Sequence, residues 1–174
     1  LLFGKGGKLV CGGNGNQGTV RSSTFTYDMS VPTATVQDPG LDSTTRIAFR
    51  NGLFSTLSGT AADLIVNSAA VNNVNKLELY IRQSTSSVFW NGSNWVAGQT
   101  ALDITGNLSG NNWTYILSTQ SALLHNSTYT AWVKATDLAG NAQSTFSATF
   151  GNNWISSVTF NFDIGYPTSA MTSL

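Results

Sequence analysis

Tyr129-Thr130-Ala131-Trp132-Val133-Lys134-Ala135-Thr136-Asp137-Leu138-Ala139-Gly140-Asn141 is the stretch on which the reading of this chain turns. Its first eight residues alternate: Tyr129, Ala131, Val133 and Ala135 fall on one side, and Thr130, Trp132, Lys134 and Thr136 on the other. A period of two marks a strand with one face in a core. The run then stops at Asp137 to Asn141. There Asp and Asn side chains can bond nearby backbone, and Gly140 accepts the positive φ of a tight reversal. A second strand is expected over Gln143 to Phe150, with Phe146, Ala148 and Phe150 on one face. The expected unit is a β-hairpin closing the C-terminal end of a domain.

Moving upstream, strand signals come at the spacing of an all-β sandwich. Asn112 to Ser118 alternates through Trp113, Tyr115 and Leu117, and Lys76 to Arg82 through Leu77, Leu79 and Ile81. Val88-Phe89-Trp90 and Trp95-Val96 flank Asn91-Gly92-Ser93-Asn94, a hairpin signature. Phe54 to Thr60 gives another strand, and Thr33 to Gln37 one more, closed by Asp38-Pro39-Gly40. Residues 1–20 are rich in glycine and support at most a short strand around Lys8 to Cys11. No segment sustains a helical period.

Composition fits a folded, hydroxyl-rich protein. Ser, Thr and Asn make up about a third of the 174 residues, yet 41% hydrophobic residues with five Trp and nine Phe argue for a packed core rather than a disordered chain. Only 9% of residues are charged and the net charge is zero, so there is no basic footprint for nucleic acid. No apolar run approaches the roughly 20 residues of a membrane-spanning helix. Cys11 is the single cysteine, which rules out an internal disulfide; it is expected to be a small buried hydrophobe.

A short motif occurs twice. Thr24-Phe25-Thr26-Tyr27-Asp28 leads to Pro32-Thr33, and Thr159-Phe160-Asn161-Phe162-Asp163 leads to Pro167-Thr168. The two aspartates and the two prolines are each 135 residues apart (163 against 28, 167 against 32). A repeat register of this kind belongs to tandem arrays. The expected division is 1–28 as the end of a preceding unit, 29–163 as one full unit, and 164–174 as the start of the next. A chain beginning at Leu1 rather than Met is expected to be a processed product or part of something longer.

Gly59-Thr-Ala-Ala-Asp63, Lys76-Leu-Glu-Leu-Tyr-Ile-Arg82, Trp90-Asn-Gly-Ser-Asn-Trp95, Trp113-Thr-Tyr115 and Tyr129 to Asn141 follow one another in order. Together they resemble the bacterial immunoglobulin-like repeats strung in tandem through large secreted and cell-surface proteins, many of them adhesin-like. The resemblance covers about residues 24–170. It implies an immunoglobulin-like antiparallel β-sandwich of Greek-key type, flanked by strand segments of neighbouring repeats. It also implies a non-catalytic structural or adhesive role as a stalk or filament-forming unit, extracellular or on the bacterial surface. The implied partners are neighbouring repeats or identical subunits, and surface glycans or other cells. Residues 1–20 and the stretch Trp154 to Ser157 depart from the pattern, which leaves a specialised assembly role open.

Enzyme chemistry finds little support. His125 is the only histidine and sits at a strand entry, where it serves a turn; Glu78 is the only glutamate and is expected to face solvent. Clustered His or Cys ligands for zinc are absent, and a serine nucleophile would have only His125 as base. Phe89, Trp90, Trp95 and Trp113 offer an alternative reading, a carbohydrate-binding platform; the competing account is cross-strand packing within a hairpin. A Lys–Asn crosslink would require Lys76 or Lys134 buried beside Asn and a carboxylate.

Calcium is the remaining candidate. In an immunoglobulin-like sandwich the chain entry, the B–C connection and the F–G turn share one pole. Asp28, Asp63 and Asp137 with Asn141 occupy those three places. Oxygen ligands of this kind suit Ca²⁺, which takes six to eight. In the competing account the same residues only shape the turn and cap neighbouring backbone. Asp163 is expected to play the Asp28 role for a following unit.

Overall fold

The computed structural model describes residues 27–40, 48–50, 54–63, 72–117, 123–144, 156–166 and 168–169. The strands are β1 (Thr33–Asp38), β2 (Ala48–Arg50), β3 (Thr56–Ala62), β4 (Val74–Gln83), β5 (Val88–Trp90), β6 (Trp95–Ala97), β7 (Leu102–Asp103), β8 (Leu108–Ser109), β9 (Asn112–Ile116), β10 (Ser127–Asp137) and β11 (Ser157–Phe162), with a 3-10 turn at Thr105–Asn107. One sheet runs β1-β3-β9-β8; the other runs β2-β11-β10-β4-β5-β6, with β7 alongside β4. Strands β1, β3, β9 and β8 take the A, B, E and D places of an immunoglobulin sandwich, and β4, β10 and β11 take C, F and G. The expected fold class, an immunoglobulin-like antiparallel β-sandwich, is the one observed.

Alternation sets the core. Tyr129, Ala131, Val133 and Ala135 of β10 are fully buried, as are Leu77, Leu79 and Ile81 of β4 opposite them. From the facing sheet come Ala34, Val36, Leu57, Ala61 and Trp113. Phe54 meets Phe160 edge-on at 5.2 Å, and Tyr129 stacks on Phe160 at 5.5 Å. The Tyr129 hydroxyl accepts the Leu124 N–H at 2.7 Å, tying the loop before β10 to its first turn in the manner of a tyrosine corner.

Two turns are built as their residues dictate. Asn91 Oδ1 accepts the N–H groups of Ser93 and Asn94, and Gly92 has φ +98°, so β5 and β6 pair Trp90 with Trp95. Gly140 (φ +92°) lets the chain reverse after β10. The Asp38–Pro39 peptide is cis.

The partner of β10 differs from expectation. The hairpin begins as expected, with Ala142 bridging Thr136 and the Gln143 N–H donating to Ala135 O. A ladder continued from there would set residue 146 opposite Trp132; Ser157 stands there instead, eleven residues later. The expected inward trio Phe146, Ala148 and Phe150 lies outside the described residues, as do the segments around Lys8 to Cys11 and Thr24 to Thr26. Val158, Phe160 and Phe162 of β11 fill the core beside β10. Both stretches alternate apolar and polar residues, and alternation alone does not say which one pairs.

Among the described glycines, Gly59 leaves the least room for a side chain. A Cβ there would lie 1.9 Å from the Thr35 carbonyl oxygen and 2.8 Å from the Trp113 ring, whose indole N–H donates to Thr35 O and Thr60 O. Gly59→Ala must therefore push β1 or Trp113 away. We expect a loss of about 1–3 kcal/mol, as for overpacked cores, with the urea midpoint lowered and the m-value unchanged.

Candidate metal centre

Three elements deliver the acidic pole. Asp28 precedes β1, Asp63 directly follows β3, and Asp137 ends β10. Each offers a carboxylate oxygen within 4.8 Å of the others, Asp63 and Asp137 buried and Asp28 partly so. These are the three aspartates expected from sequence. Asp137 lies inward because it continues the buried face of β10, where the pairing slips by one residue between Thr136 and Asp137.

The donors described around Asp28 and Asp137 are neutral. Asn141 gives its backbone N–H to Asp137 Oδ1 and its amide to Asp137 Oδ2, both at 2.8 Å, and the same amide reaches the Asp28 carbonyl at 3.1 Å. Asn141 thus orients Asp137 and ties the chain entry to the turn. Ser30, which the sequence reading missed, gives Asp28 Oδ1 both its hydroxyl and its N–H, and its hydroxyl lies 3.3 Å from Asp63 Oδ1. The signal was legible: Asp-x-Ser is the pattern of an Asx turn. Asn72 supports the far side, bonding Asp63 N, Ala61 O and Gly110 O.

Carboxylates this close repel when ionised, the more so where burial lowers the effective dielectric. A hard divalent cation would offset that charge. The donor set is all oxygen, with no His or Cys among it, which fits Ca²⁺ and not zinc. Asp28, Asp63 and Asp137 are the side chains that would hold it.

The second copy of the motif repeats this local geometry at the chain exit. Asp163 Oδ1 accepts the Gly165 N–H at 2.7 Å, as Asp28 Oδ1 accepts that of Ser30 at 2.9 Å. His125 Nδ1 lies 3.1 Å from Asp163 Oδ1 and accepts the Ile164 N–H at 3.2 Å, both side chains about half exposed. The histidine thus pins the segment that leaves β11, a structural use in keeping with its expected turn role.

The four aromatics of the alternative platform reading, Phe89, Trp90, Trp95 and Trp113, do not share one surface. Trp90 and Trp113 are in the core, at 2% and 1% exposure; Trp90 donates to Tyr115 Oη across the sandwich. Trp95 packs on Trp90 and Tyr129. Of the four, Phe89 alone joins an outward cluster, meeting Trp132 edge-on while Trp132 stacks on Tyr80. Neither lysine suits a crosslink. Lys76 is half exposed and bonded to Glu78, and Lys134 lines a cleft on the outer face.

No protein-family model matches the chain, and no curated protein matches its sequence. Among solved structures, the chain is similar to the third fibronectin III domain of the human KIAA0343 protein. The identity is 13% and the TM-score 0.36, over 87% of this chain and 99% of that one. The two-sheet topology itself carries the assignment of fold.

The Ser30 hydroxyl, and then its backbone N–H, hold the Asp28 carboxyl below the usual carboxylate range. A depressed folded-state pKa contributes stability above the ordinary value, and that contribution is lost as pH falls through the folded value. In Ser30→Ala, NMR titration of the Asp28 carboxyl should show its midpoint rise toward about 3.9.

Proposed function

We propose that residues 29–163 form a non-catalytic structural or adhesive immunoglobulin-like unit of a larger extracellular protein of a bacterial surface. In this reading 1–28 end one neighbouring unit and 164–174 begin another. Calcium held by Asp28, Asp63 and Asp137 stiffens the junction. Neighbouring repeats or identical subunits are the partners.

The observation that carries this reading is the acidic pole at the point where the chain enters the sandwich. Asp28 belongs to the connecting segment, whereas Asp63 and Asp137 belong to the sandwich. A cation shared by all three fixes the segment's direction relative to the sheets. The matching Asx turn at Asp163 supports the same role for the segment that leaves. Exposed Met29 and Val31 before β1, and Ile164 and Tyr166 after β11, give both connecting segments apolar surface for a neighbour to cover. No helix of the described residues is long and apolar enough to cross a membrane.

Calcium at about 100 times its Kd should stabilise the protein by about 2.7 kcal/mol, a rise in melting midpoint of roughly 5–10 °C over the chelated protein. Asp63→Asn should lose that response. Equal midpoints with calcium and with chelator would overturn the calcium-held junction.

A further inference from the structure

The outer face of the second sheet carries a feature that neither the core nor the acidic pole uses. Trp132 of β10 and Tyr80 of β4 are cross-strand partners and stack face to face, centroids 5.2 Å apart and planes within 4°. Beside them is an open cleft of about 290 Å³, lined by Tyr80, Gln99, Trp132, Lys134, Gln143 and Ser144. It lies where the last strand breaks register. Gln143 N–H donates to Ala135 O, Val133 N–H donates to Ser156 O, and Lys134 stands between the two bonds.

Charge in the cleft is one-sided. Glu78 is the residue paired with Lys134 across the ladder, but its carboxylate is taken by Lys76 at 2.6 Å. Asp103, next in that row, accepts both the N–H and the hydroxyl of Thr105. Among the described residues no carboxylate lies within ion-pair distance of Lys134. The polar groups that remain are the Gln99 amide, the Ser144 hydroxyl and the Tyr80 phenol. Burial and the Glu78 charge push the phenol above its usual range, and an ordinary phenol is already a donor at neutral pH. The Gln143 amide is spent on Ala34 of β1 and forms only wall.

We propose that this cleft binds a carboxylated pyranose, a uronic-acid residue of an acidic polysaccharide. Stacked on each other, the indole and phenol border the cleft with ring edges and outer faces, the apolar surface that meets the C–H face of the sugar ring. Gln99, Ser144 and the Tyr80 hydroxyl meet its hydroxyl groups, and Lys134 meets its carboxylate. The volume sits at the lower edge of ligand pockets, about 300 Å³, and suits one ring rather than a long segment. Zero net charge sets aside nucleic acid, the other polyanion that pairs stacking with cations.

The test uses the whole chain in chelator, so that the acidic pole plays no part. Tetragalacturonate, neutral galactotetraose and tetraglutamate are titrated by NMR, following the Trp132 indole and the backbone amides of Gln99, Lys134 and Ser144. Tetragalacturonate should shift these signals and bind about tenfold tighter than galactotetraose. Lys134→Gln should bring the acidic sugar down to the neutral one, and Trp132→Ala should weaken both about tenfold. Lys134→Gln leaves the ring stack in place, so it remains informative if Trp132→Ala fails to fold. Unmoved Trp132 signals at roughly 10 mM tetragalacturonate would overturn the proposal, since they mean a Kd well above 1 mM. Equal binding of tetraglutamate would also overturn it, because the surface would then respond to charge alone.

Discussion

The register between β10 and β4 is the constraint on which the rest depends. Nine residue pairs, from Tyr129 opposite Gln83 to Asp137 opposite Val74, lock the two central strands of the larger sheet. Because side chains alternate, this one register assigns three regions at once. The inward set (Ala131 with Ile81, Val133 with Leu79, Ala135 with Leu77) is the centre of the core. The outward set places Trp132 against Tyr80 and Lys134 against Glu78. The end of the ladder delivers Asp137 to the pole. A slip of one residue would turn Trp132 and Lys134 into the core and expose Val133.

The acidic pole sets electrostatics against packing. Burying a carboxylate is costly unless hydrogen bonds or an opposite charge compensate it. Here Asn141 orients Asp137 and Ser30 orients Asp28, each through neutral donors. The three carboxylates form one all-oxygen cluster. It also joins a connecting segment to two strands of different sheets, so whatever binds there bears on orientation as well as stability.

The larger sheet gives up regularity beside β10. Ala142 pairs with Thr136, and Ser157 pairs with Trp132 eleven positions out of that register. Gln143 makes use of the break by turning its amide onto both backbone groups of Ala34, which links β1 of the opposite sheet to the F–G region. The same break opens the cleft next to Lys134. The irregularity beside β10 therefore serves packing on its inner side.

Much of this was legible in the residues themselves. Period-two alternation fixed β4, β9 and β10 and the faces they bury, because side-chain direction along a strand is a local property. Asn91-Gly92 and Asp137 to Asn141 fixed their turns through equally local chemistry. The three aspartates could be gathered at one pole from strand order alone, since alternating strand direction puts every second connection at the same end. What the tertiary structure decided was long-range. It chose Ser157–Phe162 over the equally alternating stretch after Gln143 as the strand beside β10. It drew Trp90 and Trp113 into the core and left Trp132 and Tyr80 outside, although all four are large and aromatic. It set Ser30 between two carboxylates, Asp28 two residues before it and Asp63 33 residues after it. Alternation tells a side chain which of two faces it shares with its neighbours; only the docking of one sheet on the other decides which aromatic rings are covered and which remain open to a ligand.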